Sequence, residues 1–257
     1  MRIVLITGLA IGSLAASVMG QELDANAIVE KANRASYYAG KDGSAKVKMV
    51  MSDGRTREFA ILRRNADEGM GQKFYVYFTA PADVRKMAYL VHKRPGGNDD
   101  RWLFLPALNL VKRIAPGDKR TSFVGSDFLY EDVSGRGLEE DTHELVETTE
   151  TQYVIKNTPK DPGSVEFSSY TVWIDKESFL PRKAEYLDKN GTLSRRVVAD
   201  KVETVQGYPT VVESYVEDLS AGTKTVNTFA DVKLDIGLKD RLFTERFLRR
   251  PPREVTR

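Results

Sequence analysis

Two rhythms of apolar residues divide the chain. The first is helical: Asp24 stands at an N-cap position, and Ile28, Val29, Ala32 and Ala35 follow at helical spacing until Gly40, so residues 24–40 predict one amphipathic helix. From Ser44 onward the period is two. Ala45, Val47, Met49 and Met51 alternate with Lys46 and Lys48, Asp53-Gly54 supplies a tight turn, and Phe59 and Ile61 resume the alternation, which predicts a hairpin. Further strands are expected at 72–79, 87–92, 101–105, 110–114, 143–149 and 152–158, then at 169–175, 182–188, 193–205, 209–219 and 224–233. The connections are short, among them Asn190-Gly191, Gln206-Gly207 and Ala221-Gly222. Parallel neighbours need crossovers of about a dozen residues, so these turns imply an antiparallel meander.

One stretch breaks the rhythm. Between 115 and 141, Gly117, Gly125, Gly135 and Gly137 surround Phe128, Leu129 and Tyr130, which reads as a loop with one or two short helical turns. Ser126 and Asp127 are placed to open such a turn, because their side-chain oxygens can accept free backbone N–H groups. A sheet of about eleven to thirteen strands must curl to bury a face. The expected fold is therefore mainly β: an open antiparallel barrel with a few helices over its mouth, drawn from 24–40, 123–134 and 241–248. Residues 249–257, polar and carrying Pro251-Pro252, are expected to be loose.

Composition adds a compartment. Arg2, an apolar run up to about Ala16 and small residues up to Gln21 have the order of a cleavable export signal, with cutting expected after Gly20. The expected product is one exported domain over 21–257. There is no cysteine, which excludes a disulfide scaffold and a thiol nucleophile. Basic and acidic residues number 39 and 37, a near balance that gives no reason to expect nucleic acid as a partner.

Catalytic and metal chemistry find little support. The histidines are His92 and His143, neither in H-E-x-x-H, and no serine occupies a G-x-S-x-G elbow. A hydrolase built on Ser126 and His143 is arithmetically available. The carboxylates Asp127, Glu131, Asp132, Glu139, Glu140 and Asp141 match no calcium-loop spacing. No cofactor and no metal are expected.

The densest run of unusual residues is Trp102-Leu103-Phe104-Leu105-Pro106-Ala107-Leu108, then Val111-Lys112-Arg113-Ile114, then Ser122-Phe123-Val124-Gly125-Ser126-Asp127-Phe128-Leu129-Tyr130-Glu131-Asp132. These segments resemble blocks of the LolA-like outer-membrane lipoprotein-sorting family of Gram-negative bacteria. Ala80-Pro81-Ala82-Asp83-Val84-Arg85, Val172-Trp173-Ile174-Asp175-Lys176-Glu177 and Asp235-Ile236-Gly237-Leu238 resemble it too, while Lys86 and Asn109-Leu110 depart from its pattern. The resemblance implies a periplasmic carrier, non-catalytic, whose apolar lining shelters a lipid or lipoprotein acyl chains in transit.

Two functions follow as expectations. The first is such a carrier, monomeric, touching membranes only transiently. Ile28, Val29, Phe74, Val76, Phe78, Trp102, Phe104, Leu105 and Phe128 are its candidate cavity or lid residues, though ordinary core explains the same apolar residues equally well. Phe74, Val76 and Phe78 share one face of a strand and Tyr75 and Tyr77 the other, and only one face can look inward. Lys112, Arg113, Lys119 and Arg120 are candidate contacts for lipid headgroups or a partner, against the alternative of a solvated strand end. The second function is an adaptor with a filled interior that docks on an inner-membrane transporter of the RND type. Whether the inward side chains leave room separates the two.

Overall fold

The computed structural model describes residues 23–256, so the segment read as an export signal, 1–20, lies outside the described residues. The opening helix α1 (Ala25–Tyr37) forms where its pattern places it. The Asp24 carboxylate accepts from the Ala27 amide at 2.7 Å, and Ile28 and Ala32 are buried along one stripe.

Thirteen strands follow: β1 (Asp42–Met51), β2 (Thr56–Asn65), β3 (Gln72–Ala80), β4 (Ala88–Lys93), β5 (Asp100–Leu105), β6 (Leu110–Ile114), β7 (Asp141–Thr148), β8 (Gln152–Pro159), β9 (Phe167–Asp175), β10 (Pro181–Asp188), β11 (Leu193–Val205), β12 (Tyr208–Asp218) and β13 (Thr223–Leu234). They form a single sheet in the order β6-β5-β4-β3-β2-β1-β13-β12-β11-β10-β9-β8-β7, with every pair antiparallel. The expected meander is thus two meanders, β1–β6 and β7–β13, joined through the first strand of one and the last strand of the other. β1 pairs with β13 from Gly43–Leu234 to Met51–Thr225. The outer edges β6 and β7 do not pair, so the sheet curls without closing. Residues 115–141 run from one edge to the other across the mouth.

Side-chain alternation sorts the β1–β5 half into two faces. Val47, Met49, Met51, Phe59, Phe74, Val76, Phe78, Tyr89, Val91 and Leu103 turn to the concave side and pack with Phe123 and Tyr130 of the crossing segment. The convex side of the same strands is buried as well: Leu62, Tyr75, Tyr77, Leu90 and Phe104 lie beneath Leu238, Leu242, Phe243, Leu248 and Val255. Burial on both faces explains why 74–78 is an unbroken apolar run.

The C-terminal cover corrects one expectation. Residues 249–257 are not loose: after the short helix α2 (Arg246–Arg249), Pro252 and Val255 are buried, Val255 to 4 % exposure. The polar look of the tail hides two apolar side chains that complete the cover. A second correction concerns 123–134. Ser126 and Asp127 cap no helix; the Ser126 hydroxyl holds a turn, the Asp127 carboxylate reaches β13, and only a single 3-10 turn forms at Glu131–Val133.

Candidate functional site

The concave face of β1–β5 is apolar and full. Phe123 sits at its centre at 1 % exposure, with ring centroids 6.2 Å from Phe59, 5.7 Å from Phe78, 5.6 Å from Tyr89 and 5.4 Å from Tyr130. Tilted and edge-on rings at these separations attract as well as fill space. Of the candidate lipid-contacting residues, Phe74, Val76 and Phe78 lie here, fully buried, and Leu105 and Phe128 pack at the margin.

Trp102 and Phe104 lie elsewhere, which corrects their grouping with Leu105. They share the convex face, because alternation sets 102 and 104 opposite 103 and 105. Trp102 meets the His92 ring edge-on at 5.1 Å, and the Arg249 guanidinium lies 5.7 Å from the Phe104 ring centre. Ile28 packs on Ile155 and Ile174 across the other half of the concave side. Val29 borders a cleft of ≈ 440 Å³ between α1, the β4–β5 turn and residues 136–143. That cleft is lined by charges, among them Glu30, Lys93, Arg101, Arg136 and Glu139. It is no acyl pocket.

The concave face of β9–β12 is covered differently. Val172 pairs with Ala184, Ala184 with Val197, and Val197 with Val216, so the four form one row on one face. The row continues through Thr225 to Met51, which places it on the concave side. Val172, Ala184 and Val197 are only half-buried, and neither Ala184 nor Val197 belongs to a packed cluster.

The crossing segment is tied to both halves by polar contacts, and on the β4 side Lys93 donates to the Ser134 and Gly135 carbonyls at 2.7 and 2.8 Å. Asp127 accepts from the Thr223 and Thr225 hydroxyls, each at 2.6 Å, and Asp132 pairs with Arg195 at 2.5 Å. Arg120 reaches Glu131 at 2.5 Å and Glu166 at 2.6 Å, and Lys119 reaches Glu131 at 3.0 Å and Glu140 at 2.5 Å. Arg136 pairs with Asp141 at 2.8 Å and with Glu140 at 2.9 Å. Burial alone would push the Glu131 carboxyl up, but Arg120, Lys119 and Arg136 outweigh it and hold the group down at about 2.

These contacts revise the basic candidates. Lys119 and Arg120 are interior partners of carboxylates, not a surface for headgroups. Arg113 is exposed but paired with Asp100, and Lys112 is exposed on β6, so the four residues form no single patch. The sequence hid this because Glu131, Glu140 and Glu166 lie far along the chain. The proposed Ser126–His143 pair is likewise not assembled. The buried Ser126 hydroxyl donates to the Phe123 carbonyl at 2.7 Å, while the His143 ring nitrogens sit 2.7 Å from Asn157 Oδ1 and 3.0 Å from the Leu138 carbonyl.

Two solved structures share this architecture at 27 % sequence identity and a TM-score of 0.79. One is a DUF1329 family protein from Desulfovibrio piger, matched over 87 % of this chain and 97 % of its own. The other is described as an outer membrane lipoprotein-sorting protein domain from Vibrio parahaemolyticus, matched over 88 % of this chain and 98 % of its own. The chain belongs to the LolA-like family. A LolA superfamily protein from Nitrosomonas europaea shares the fold at 21 % identity and a TM-score of 0.65, over 88 % of this chain and all of its own. A family model whose description goes no further than an uncharacterized-protein-like family matches residues 70–250. No curated protein matches. Among the described residues, no helix of this LolA-like chain is long and apolar enough to cross a membrane.

Proposed function

We propose that the protein is a non-catalytic periplasmic carrier that shelters a lipid, or the acyl chains of a lipoprotein, against the concave face of its sheet. The observation behind this reading is that the apolar concave face of β1–β5 is closed by one glycine-bearing segment, residues 115–141, and not by a second sheet. That segment is held by side chains and not by strand pairing to the sheet: Phe123 packs inward, and Asp127, Asp132, Arg120 and Lys93 make its polar ties. Swinging it aside uncovers Phe59, Phe74, Val76 and Phe78 without breaking a strand pair. The half-buried row Val172–Ala184–Val197 supplies a first foothold for a chain. Each methylene buried contributes roughly 0.8 kcal/mol, so a long acyl chain repays the displaced Phe123, Phe128 and Tyr130 contacts.

Uptake of an apolar fluorescent probe tests this directly. Saturable binding that a natural lipid displaces, and that Val197→Glu weakens, is the expected result. No uptake over a concentration series overturns the reading.

The filled interior of the β1–β5 half specifically favours a second reading, an adaptor that docks on an inner-membrane transporter. On that account the probe finds no site, and the protein co-purifies with a membrane protein instead.

A further inference from the structure

A carrier that loads or unloads at a membrane turns one face to the bilayer, and the surface chemistry points to one. Among the described residues, eleven of nineteen arginines sit in ion pairs. Arg241, Arg246, Arg249, Arg250 and Arg253 have none among the described residues, as do the scattered Arg63, Arg85 and Arg182; the five are exposed together on the C-terminal cover, with Asp240, Glu245 and Glu254 as acidic neighbours in sequence and Asp240 engaged by Lys73 at 2.6 Å. Beside this cover the β5–β6 connection projects Leu108 and Leu110, exposed to 69 % and 46 %. Asn109 between them takes a left-handed turn at φ 48°, which sends both leucines outward. The two features are physically joined: the Arg249 guanidinium donates to the Asn109 carbonyl at 3.5 Å. Lys112, also exposed and unpaired, follows two residues later.

We propose that the Leu108–Leu110 tip and the arginine-rich C-terminal cover together form the surface by which the protein docks on a bilayer containing anionic phospholipids. Arginine guanidinium groups pair with lipid phosphates through two parallel N–H donors. Two leucines at the apex of a hairpin, with no groove around them, suit a fluid phase that needs no matching shape. A folded partner would call for a complementary pocket. The tail chemistry that the fold uses inward, Leu248 and Val255, fixes the strap in place and leaves its arginines facing out.

The proposal rests on the carrier reading, and its test separates the two. The mature chain is sedimented with vesicles of equal parts phosphatidylglycerol and phosphatidylcholine, and with phosphatidylcholine vesicles alone, across a salt series. Probe uptake is measured on the same samples. Binding to the anionic vesicles that weakens with salt is expected, with each arginine worth roughly fivefold, so that R249Q/R250Q binds about 25-fold more weakly. Leu108→Asp is expected to lower binding at least about tenfold, and Val146→Asp, an exposed apolar site on β7, to leave it unchanged. Circular dichroism verifies that each variant is folded. No vesicle binding at low salt, or equal losses from Leu108→Asp and Val146→Asp, overturns the surface assignment. Failure of docking with probe uptake intact leaves the carrier reading standing, and docking without uptake contradicts the carrier reading alone.

Discussion

Replacing Phe123 by alanine perturbs the contact on which the closed state depends. The ring is 1 % exposed and touches four other aromatic rings at centroid distances between 5.4 and 6.2 Å. A buried phenylalanine removes roughly 150–250 Å² from water, which at about 25 cal/mol per Å² is an upper bound of roughly 4–6 kcal/mol. Alanine retains part of that area, and measured losses for such substitutions run about 3–5 kcal/mol. Collapse of the segment into the void is resisted by the two Asp127–threonine hydrogen bonds at 2.6 Å on its neighbouring residues. We therefore expect Phe123→Ala to cost about 3–4 kcal/mol. Urea unfolding followed by the fluorescence of Trp102 and Trp173 measures it, and with a slope of about 3 kcal/mol/M the midpoint falls by roughly 1 M. The same variant should take up more apolar probe, because the concave face is easier to uncover. A loss below about 1 kcal/mol, or unchanged uptake, would refute the view that Phe123 plugs an otherwise open face.

Three further outcomes are expected. Glu131→Gln leaves Arg120, Lys119 and Arg136 short of a buried countercharge and should destabilise by about 3–5 kcal/mol in urea. With the folded carboxyl at about 2, below its ordinary 4.5, its contribution is present above about pH 4.5 and is lost as pH falls toward 2, so acid titration should flatten in Glu131→Gln over that window. Gly135→Ala should cost at least about 1–3 kcal/mol by thermal melting, since its φ is +74° and a Cβ would stand 2.7 Å from the Tyr37 ring. Val255→Asp puts an unpaired charge under the C-terminal cover; a lowered melting temperature and aggregation are expected, and wild-type behaviour would mean that the cover is dispensable.

The strands were legible because alternation and turns are local. The bounds of β11, Leu193–Val205, match the sequence reading residue for residue, and β6, Leu110–Ile114, does too. What stayed hidden depends on distant partners. Pairing of β1 with β13 leaves no local mark. The parity that separates Trp102 and Phe104 from Leu103 and Leu105 is visible, but which parity faces inward is set by what covers each side. Leu242, Phe243 and Leu248 lie in the 241–248 stretch expected as a helix over the mouth; they form a 3-10 turn and the short α2 instead, and cover the convex side. Lys119 and Arg120 look like surface charges until Glu131, Glu140 and Glu166 come to meet them. The row Val172, Ala184 and Val197 was missed because each residue is ordinary alone and becomes a surface only across strands.

The most direct test of the carrier account is native mass spectrometry of the protein taken from its own compartment without detergent. The account predicts a stoichiometric phospholipid or acylated peptide that dissociates on activation and is depleted in Val197→Glu. A clean unliganded mass, together with no uptake of added lipid, would contradict it and leave the adaptor reading in its place.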